Sequence, residues 1–315
     1  MLKKIELMKG HTLEIVSGLG DYCLRDTLEC GQCFRFEPVT DGALFSDEYV
    51  VTMKDRVVRI GQRERGELIF IDTEGAADDP VIRSYFALDT SLTDIKADVI
   101  ARTDSEWLKE AAECGGGIAL LRQDPWEALV SFIISQNNNI PRIKKIIKQI
   151  AIEYGANLTL QNSANTTCPL SICKGIPNED ACKKCGICYS FPTPNDILSY
   201  PEGLLPSRPG FRYSYIIDAA EKVASGEVDL DGIAAAGSYE YTIEELKRIK
   251  GVGDKVASCV ALFGFANLEA FPIDVWMKRA IDTYFDGKLD PATLGRYAGF
   301  AQQYIFHYIR NIAEA

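Results

Sequence analysis

Histidine is nearly absent from this chain. Of its 315 residues only His11 and His307 are histidines, so a Ser-His-Asp triad, a two-histidine zinc helix or a histidine relay would have to draw on one or both. Chemistry is expected to rest on Lys, Asp, Glu or Cys. Long apolar runs are missing too: no stretch approaches the roughly 18 residues of a membrane span. The opening MLKKIELMKGHTLEIV has early lysines but no apolar signal-peptide core. No membrane association and a cytoplasmic location are the expectations. A composition of 47% hydrophobic and 25% charged residues is that of a globular protein, and the length suits two domains or one with a large elaboration. Net positive charge is also lacking. A formal charge of -11 argues globally against a polyanionic partner, but a nucleic-acid footprint is local. Residues 141–150, PRIKKIIKQI, carry four basic groups and no acid, and 246–280 carry six basic against three acidic groups.

Roughly the first hundred residues read as β-rich. YVVTMKDRVVRIGQ and GELIFID are short β-branched runs broken by charged or glycine turns, as in an antiparallel meander. From about Asp79 the pattern turns helical. Asp124, Pro125 and Glu127 form a capping signature ahead of an apolar stripe, and NNNIPRIKKIIKQIAIEYG opens another helix after three asparagines. In YTIEELKRIK the same device predicts Thr242 as N-cap and Glu245 at N3, with the helix ending at Gly251. DPATLGRYAGFAQQYIFHYIRNIAEA reads as one long amphipathic helix. The expectation is an α+β protein: an N-terminal antiparallel β-rich domain over 1–115, then an α-helical domain over 116–315 with a cysteine-rich insertion at about 158–192.

Residues 246–280 concentrate the chemistry. A Gly-Val-Gly turn, Gly251 to Gly253, lets two helices meet closely and turns backbone N–H groups outward, where with the following helix N-terminus they can hold a phosphate. It can equally be an ordinary interhelical turn with glycine at the C-cap. Lys255 follows in the first turn of the next helix, where the helix dipole disfavours a cation. The same field with partial burial makes a neutral amine available as a nucleophile; the alternative is that Lys255 reaches water or a phosphate. Asp274, in FPIDVWMKRAIDTYF, is a helix N-cap candidate, and a capping carboxylate can also stabilise a cationic sugar or assist proton transfer.

Hairpin, lysine and Pro-x-Asp together resemble the helix-hairpin-helix DNA glycosylases, specifically the bifunctional branch. GQCFRF (31–36), YFALDTSL (85–92), LLRQDPWEALVSFIISQNNNIPRI (120–143), GFRYSYI (210–216), GVGDKVASCVALF (251–263) and AGFAQQYIF (298–306) are similar, in order, to the 8-oxoguanine DNA glycosylase family. The resemblance implies a base-excision repair enzyme on double-stranded DNA, acting as a monomer without a catalytic cofactor. Lys255 would attack C1′ and form a Schiff base, and Asp274 would be its partner carboxylate. Gly31 would offer its carbonyl to the N7–H that 8-oxoguanine has and guanine lacks. Cys259 and Phe306 would sandwich the flipped base, Gln302 would read its Watson–Crick edge, and Pro272 would line the same pocket. Asn137, Arg142 and Arg212 would contact the cytosine opposite the lesion, with Phe211 as a wedge and Gly251 and Gly253 on the phosphate. Two positions depart from the family pattern: Trp276 stands where better-known members have histidine, and Ile309 where an acidic residue is usual. Two other readings compete. One is a non-catalytic helix-hairpin-helix DNA-binding module with the lysine on phosphate; the other is an alkyl-base glycosylase of the same superfamily, which releases base without a covalent adduct.

Cysteine is concentrated rather than scarce. Five of ten, Cys168, Cys173, Cys182, Cys185 and Cys188, fall in the polar stretch NSANTTCPLSICKGIPNEDACKKCGICYSFPTP. In a cytosolic chain this spacing signals a metal rather than disulfides. A tetrahedral zinc held by four of the five thiolates accounts for a loop too polar to fold alone, and an iron–sulfur cluster is the rival. The endonuclease-type relatives carry their cluster after the catalytic aspartate, and no cysteine follows Asp274. Purified protein is expected to be colourless with about one equivalent of zinc by elemental analysis. A brown protein absorbing visible light would instead indicate iron–sulfur, and five thiols titratable in the native protein would dismiss a metal.

Overall fold

A computed structural model describes residues 2–158 and 186–314. Six strands form one antiparallel sheet: β1 (Leu2–Met8), β2 (His11–Ser17), β3 (Phe36–Pro38), β4 (Asp47–Met53), β5 (Arg56–Gln62) and β6 (Glu67–Ile71). Their order is β1-β2-β6-β5-β4-β3, so the expected meander holds only from β3 to β6. After β2 the chain crosses through α1 (Leu24–Glu29) to the far edge, and β6 on its return pairs with β2. Strand alternation serves two apolar layers. Leu13, Ile15, Ile69 and Ile71 bury together under Leu44 and Phe45, while Val51, Val58, Ile60, Leu68 and Phe70 face the helices.

The helices are α2 (Pro80–Tyr85), α3 (Leu92–Ala101), α4 (Glu106–Gly115), α5 (Pro125–Ser135), α6 (Ile140–Tyr154), α7 (Pro194–Ser199), α8 (Tyr213–Ala224), α9 (Leu230–Ala236), α10 (Tyr239–Leu246), α11 (Asp254–Gly264), α12 (Val275–Tyr284) and α13 (Ala298–Glu314). Among the described residues none is long and apolar enough to cross a membrane. Asp79 and Asp124 each precede a proline at N1 and accept two backbone N–H groups. Three expectations need correction. Helix α10 ends at Leu246 and not at Gly251. Ser238, not Thr242, caps α10: its hydroxyl accepts from Tyr241 N, and Thr242, one turn inside, donates to the Ser238 carbonyl. The C-terminal segment is not one helix either. A 3-10 stretch, Pro291–Tyr297, broken at Gly295 (φ 66°), precedes α13, because that glycine adopts a left-handed conformation no helix interior uses.

The cysteine-rich stretch leaves and re-enters at one place. Leu158 N donates to Cys188 O (2.8 Å) and Ser190 N to Ala156 O (2.9 Å), an antiparallel stem. Cys168, Cys173, Cys182 and Cys185 lie outside the described residues; Cys188 is buried beside Val39, Val50 and Ile187. The stem is tied inward by Thr52, which donates to Ile187 O, and by Arg35, which donates to Tyr189 O.

Arg35 also pairs with Glu127 of α5 at 3.0 Å, with side chains 5% and 13% exposed. Burial pushes the Glu127 carboxyl up, against the opposing pull of Arg35. This contact joins the strand-side segment to the helix that carries one wall of the site. Breaking one side of such a pair strands a buried charge, so Glu127→Leu is expected to cost about 3 kcal/mol in urea denaturation. Adding Arg35→Met should recover part of that loss. A double variant as unstable as the sum of its singles would show that the two charges act independently.

Candidate active site

The turn between α10 and α11 is built around Gly251. Its φ is 78°, and a Cβ there would lie 2.2 Å from the Tyr215 ring, so both backbone and space require glycine. Gly253 is exposed and caps α11 without any side-chain acceptor. The first N–H groups of α11 are thus left for an outside acceptor, the arrangement that binds phosphate.

Lys255 is the second residue of α11 and half-buried. Its Nζ donates to Ser135 Oγ at 3.4 Å and lies 5.6 Å from the centre of the Phe132 ring. Asp274 caps α12, with Oδ1 accepting from Met277 N at 2.8 Å. Cys259, one turn beyond Lys255, reports on both charges. Burial pushes its thiol up, Lys255 pulls it down and Asp274 adds to the rise.

Lys255 and Asp274 line one small cavity of about 50 Å³, together with Cys30, Gly31, Phe132, Cys259, Phe263, Pro272, Gln302, Gln303 and Phe306. Every residue expected in the catalytic pair and the base pocket is therefore brought together. Gly31 adopts φ 88°, and Ile140 and Phe306 stand 3.5 and 3.7 Å from where a Cβ would be. Ligand pockets usually span roughly 300 Å³ or more, so these walls must part before a purine can enter. A larger cleft of about 370 Å³ lies under Met53, Lys54 and Arg122. Its Arg122 and Glu127 are already paired, with Asp89 at 2.8 Å and Arg35 at 3.0 Å, and its Asp124 is engaged as the α5 cap by Trp126 N and Glu127 N.

Sequence reasoning missed four lining residues. Phe132 and Phe263 stack at 5.4 Å with rings 19° apart, and on their own helices they read as ordinary core positions. Gln303 donates to Gln302 Oε1 at 2.7 Å, and both are buried. Cys30 follows α1 and precedes Gly31. Adjacency to Gly31 and Gln302 was the available signal for Cys30 and Gln303.

The residues expected at the opposite strand take three different places. Asn137 is exposed in a left-handed conformation (φ 47°), while Asn138 donates back to Ile134 O and Asn139 caps α6 through Arg142 N. Arg142 is exposed. Arg212 is buried instead: its guanidinium donates to the Gln136 carbonyl (2.9 Å from Nε), to Asn137 O (3.0 Å) and to Pro209 O (3.2 Å). Burial, with the neighbouring Arg142 charge, lowers its pKa. Arg212 lies over the half-exposed Phe211 ring at 4.4 Å, and Phe211 meets Tyr215 edge-on at 5.7 Å. A continuous chain of contacts thus runs from the Asn137 turn to the Gly251 hairpin. Of the two departures, Trp276 is partly exposed beside Arg279 (5.9 Å) and Ile309 is buried.

Comparison with known proteins follows the same lines. The model of the 8-oxoguanine DNA glycosylase N-terminal domain matches residues 15–129. The solved structure of MBOgg1 in complex with a low-affinity DNA ligand is 34% identical, covers 99% of this chain and 100% of its own, and superposes with a TM-score of 0.80. The Clostridium acetobutylicum 8-oxoguanine glycosylase/lyase, in complex with double-stranded DNA containing cytosine opposite 8-oxoG, is 30% identical over 98% of each chain, with a TM-score of 0.78. An N-glycosylase/DNA lyase of Saccharomyces cerevisiae is 29% identical over 282 residues, which is 82% of this chain and 67% of that protein. With the lysine, the aspartate and the base-pocket residues lining one cavity, and relatives that match along nearly the whole length, the chain belongs to the 8-oxoguanine DNA glycosylase family.

Proposed function

We infer that this protein is a bifunctional glycosylase and abasic-site lyase of base-excision repair that removes 8-oxoguanine from double-stranded DNA. The observation that supports it most is the convergence of Lys255, Asp274, Gly31 and Gln302 on one apolar-walled cavity. The Gly253 helix start holds a phosphate, and the lesion leaves the stack to enter between Cys259 and Phe306 once they part. The Gly31 carbonyl accepts the N7–H of 8-oxoguanine, whereas guanine would turn a lone pair against it. The Lys255 amine bonds to C1′ as the bond from C1′ to the base breaks, and the base leaves with that electron pair and gains a proton. Asp274 stabilises positive charge developing on the sugar. The Lys255 nitrogen then loses one proton, and the C1′–O4′ bond breaks as O4′ takes a proton. The protonated Schiff base so formed accepts the electrons of the C2′–H bond, so that removal of a C2′ proton expels the 3′ phosphate oxygen by β-elimination.

The cysteine-rich insertion takes no part in these steps. We propose that it holds one structural zinc through four of Cys168, Cys173, Cys182, Cys185 and Cys188. Support comes from the spacing and from the paired stem that brings its ends together at Cys188.

Lys255→Gln is expected to lower single-turnover excision by about 10³-fold or more while affinity for the lesion duplex persists, because the hairpin is untouched. Substantial excision by this variant would remove Lys255 from its role. Asp274→Asn should slow excision sharply with a stability change of only a few tenths of a kcal/mol, since asparagine caps a helix well; unfolding would reduce Asp274 to a cap.

Opposite-base choice is assigned to Arg142 and the Asn137 turn that Arg212 holds. A donor there suits the acceptors of cytosine and meets a donor on adenine. Excision should therefore be fastest opposite cytosine, and equal rates opposite all four bases would contradict the assignment.

A further inference from the structure

We propose that Gln123, acting with Gln32, is a positioning residue that fixes the Gly31 carbonyl and so sets how strongly the enzyme favours a purine bearing an N7–H. The proposal rests on the reading of Gly31 given above. A glycine at φ 88° has wide conformational freedom, so its carbonyl direction must be set from outside. That carbonyl shares a rigid peptide plane with the N–H of Gln32. Gln32 is fully buried. Its side-chain Nε2 donates to Thr27 O and to Ala119 O, both at 2.8 Å, and its Oε1 accepts from Leu121 N at 2.8 Å. On the other side, the Gln32 carbonyl accepts from Gln123 Nε2 at 2.7 Å.

The residue next to Gly31 is thus gripped at its side chain and at its carbonyl, which leaves the peptide between them little room to turn. Gln123 does more than close this set. Its backbone N–H donates to Phe263 O at 2.9 Å, near the end of α11, whose first turn carries Lys255. One residue therefore ties the carbonyl that reads the base to the helix that attacks the sugar. Neither Gln32 nor Gln123 lines the cavity, so both act through their neighbours and not on the base itself.

The test compares single-turnover excision of 8-oxoguanine and of 8-oxo-7-deazaguanine, in which carbon replaces N7, each opposite cytosine, with β-elimination at a preformed abasic site alongside. Gln123→Met removes the donor at similar length. Gln123→Glu keeps the shape but turns an acceptor toward the Gln32 carbonyl. Each variant is expected to lower the ratio of the two excision rates by about fivefold, the scale of one hydrogen bond, with abasic-site cleavage unchanged. A ratio preserved in both variants would overturn the proposal, as would an equal fall in all three rates, which would indicate loosened packing. If the wild-type enzyme itself does not distinguish the two bases, the reading of Gly31 fails. If it does and the variants match it, only the positioning role fails.

Discussion

The approach of the Gly251 hairpin to the Tyr215 ring is the constraint on which the site depends. No side chain fits at position 251, where even a Cβ would come 2.2 Å from the ring, so α8 and the start of α11 meet at fixed separation. From that contact the geometry spreads in two directions. Forward, it sets the first turn of α11 and so places Lys255 against Ser135 and Phe132. Backward, Tyr215 meets Phe211, Phe211 lies beneath Arg212, and Arg212 holds the carbonyls of the Asn137 turn. Lys255, to which the attack is assigned, and the surface assigned to the opposite strand are parts of one packed unit.

This arrangement explains how an acidic protein can engage DNA. With a net charge of -11, the long-range field of the whole chain opposes a polyanion, and the proposed grip is assigned to oriented N–H groups and a few local cations. Three phenylalanines, Pro272 and two cysteines form the apolar part of the pocket wall, and Gly31, Gln302, Gln303, Lys255 and Asp274 supply its polar atoms. The proposed reaction assigns these polar groups to the base and the sugar.

Much of this was legible from sequence because capping and turn chemistry are local. Asp79, Asp124, Asn139 and Asp274 cap the helices their neighbours announce, and the residues matched to the family's catalytic pair and base pocket converge in one cavity. What was not legible depends on partners distant in the chain. The pairing of β6 with β2 follows from the crossover through α1, which strand patterns cannot reveal. Ser238 and Thr242 are both sound N-cap types, and only the packing of α10 decides between them. The sequence around Arg212 carries no sign that its guanidinium is held on three backbone carbonyls. Gln123 immediately precedes the Asp124 cap, and its bond to Gln32 spans 91 positions.

The central claim is that the Lys255 amine forms a covalent bond to the sugar. Borohydride reduction during reaction with an 8-oxoguanine duplex, followed by proteolysis and mass spectrometry, tests it most directly. A DNA adduct is expected on the peptide containing Lys255, with its loss in Lys255→Gln. An adduct on another lysine, or efficient base release with no adduct at all, would contradict it.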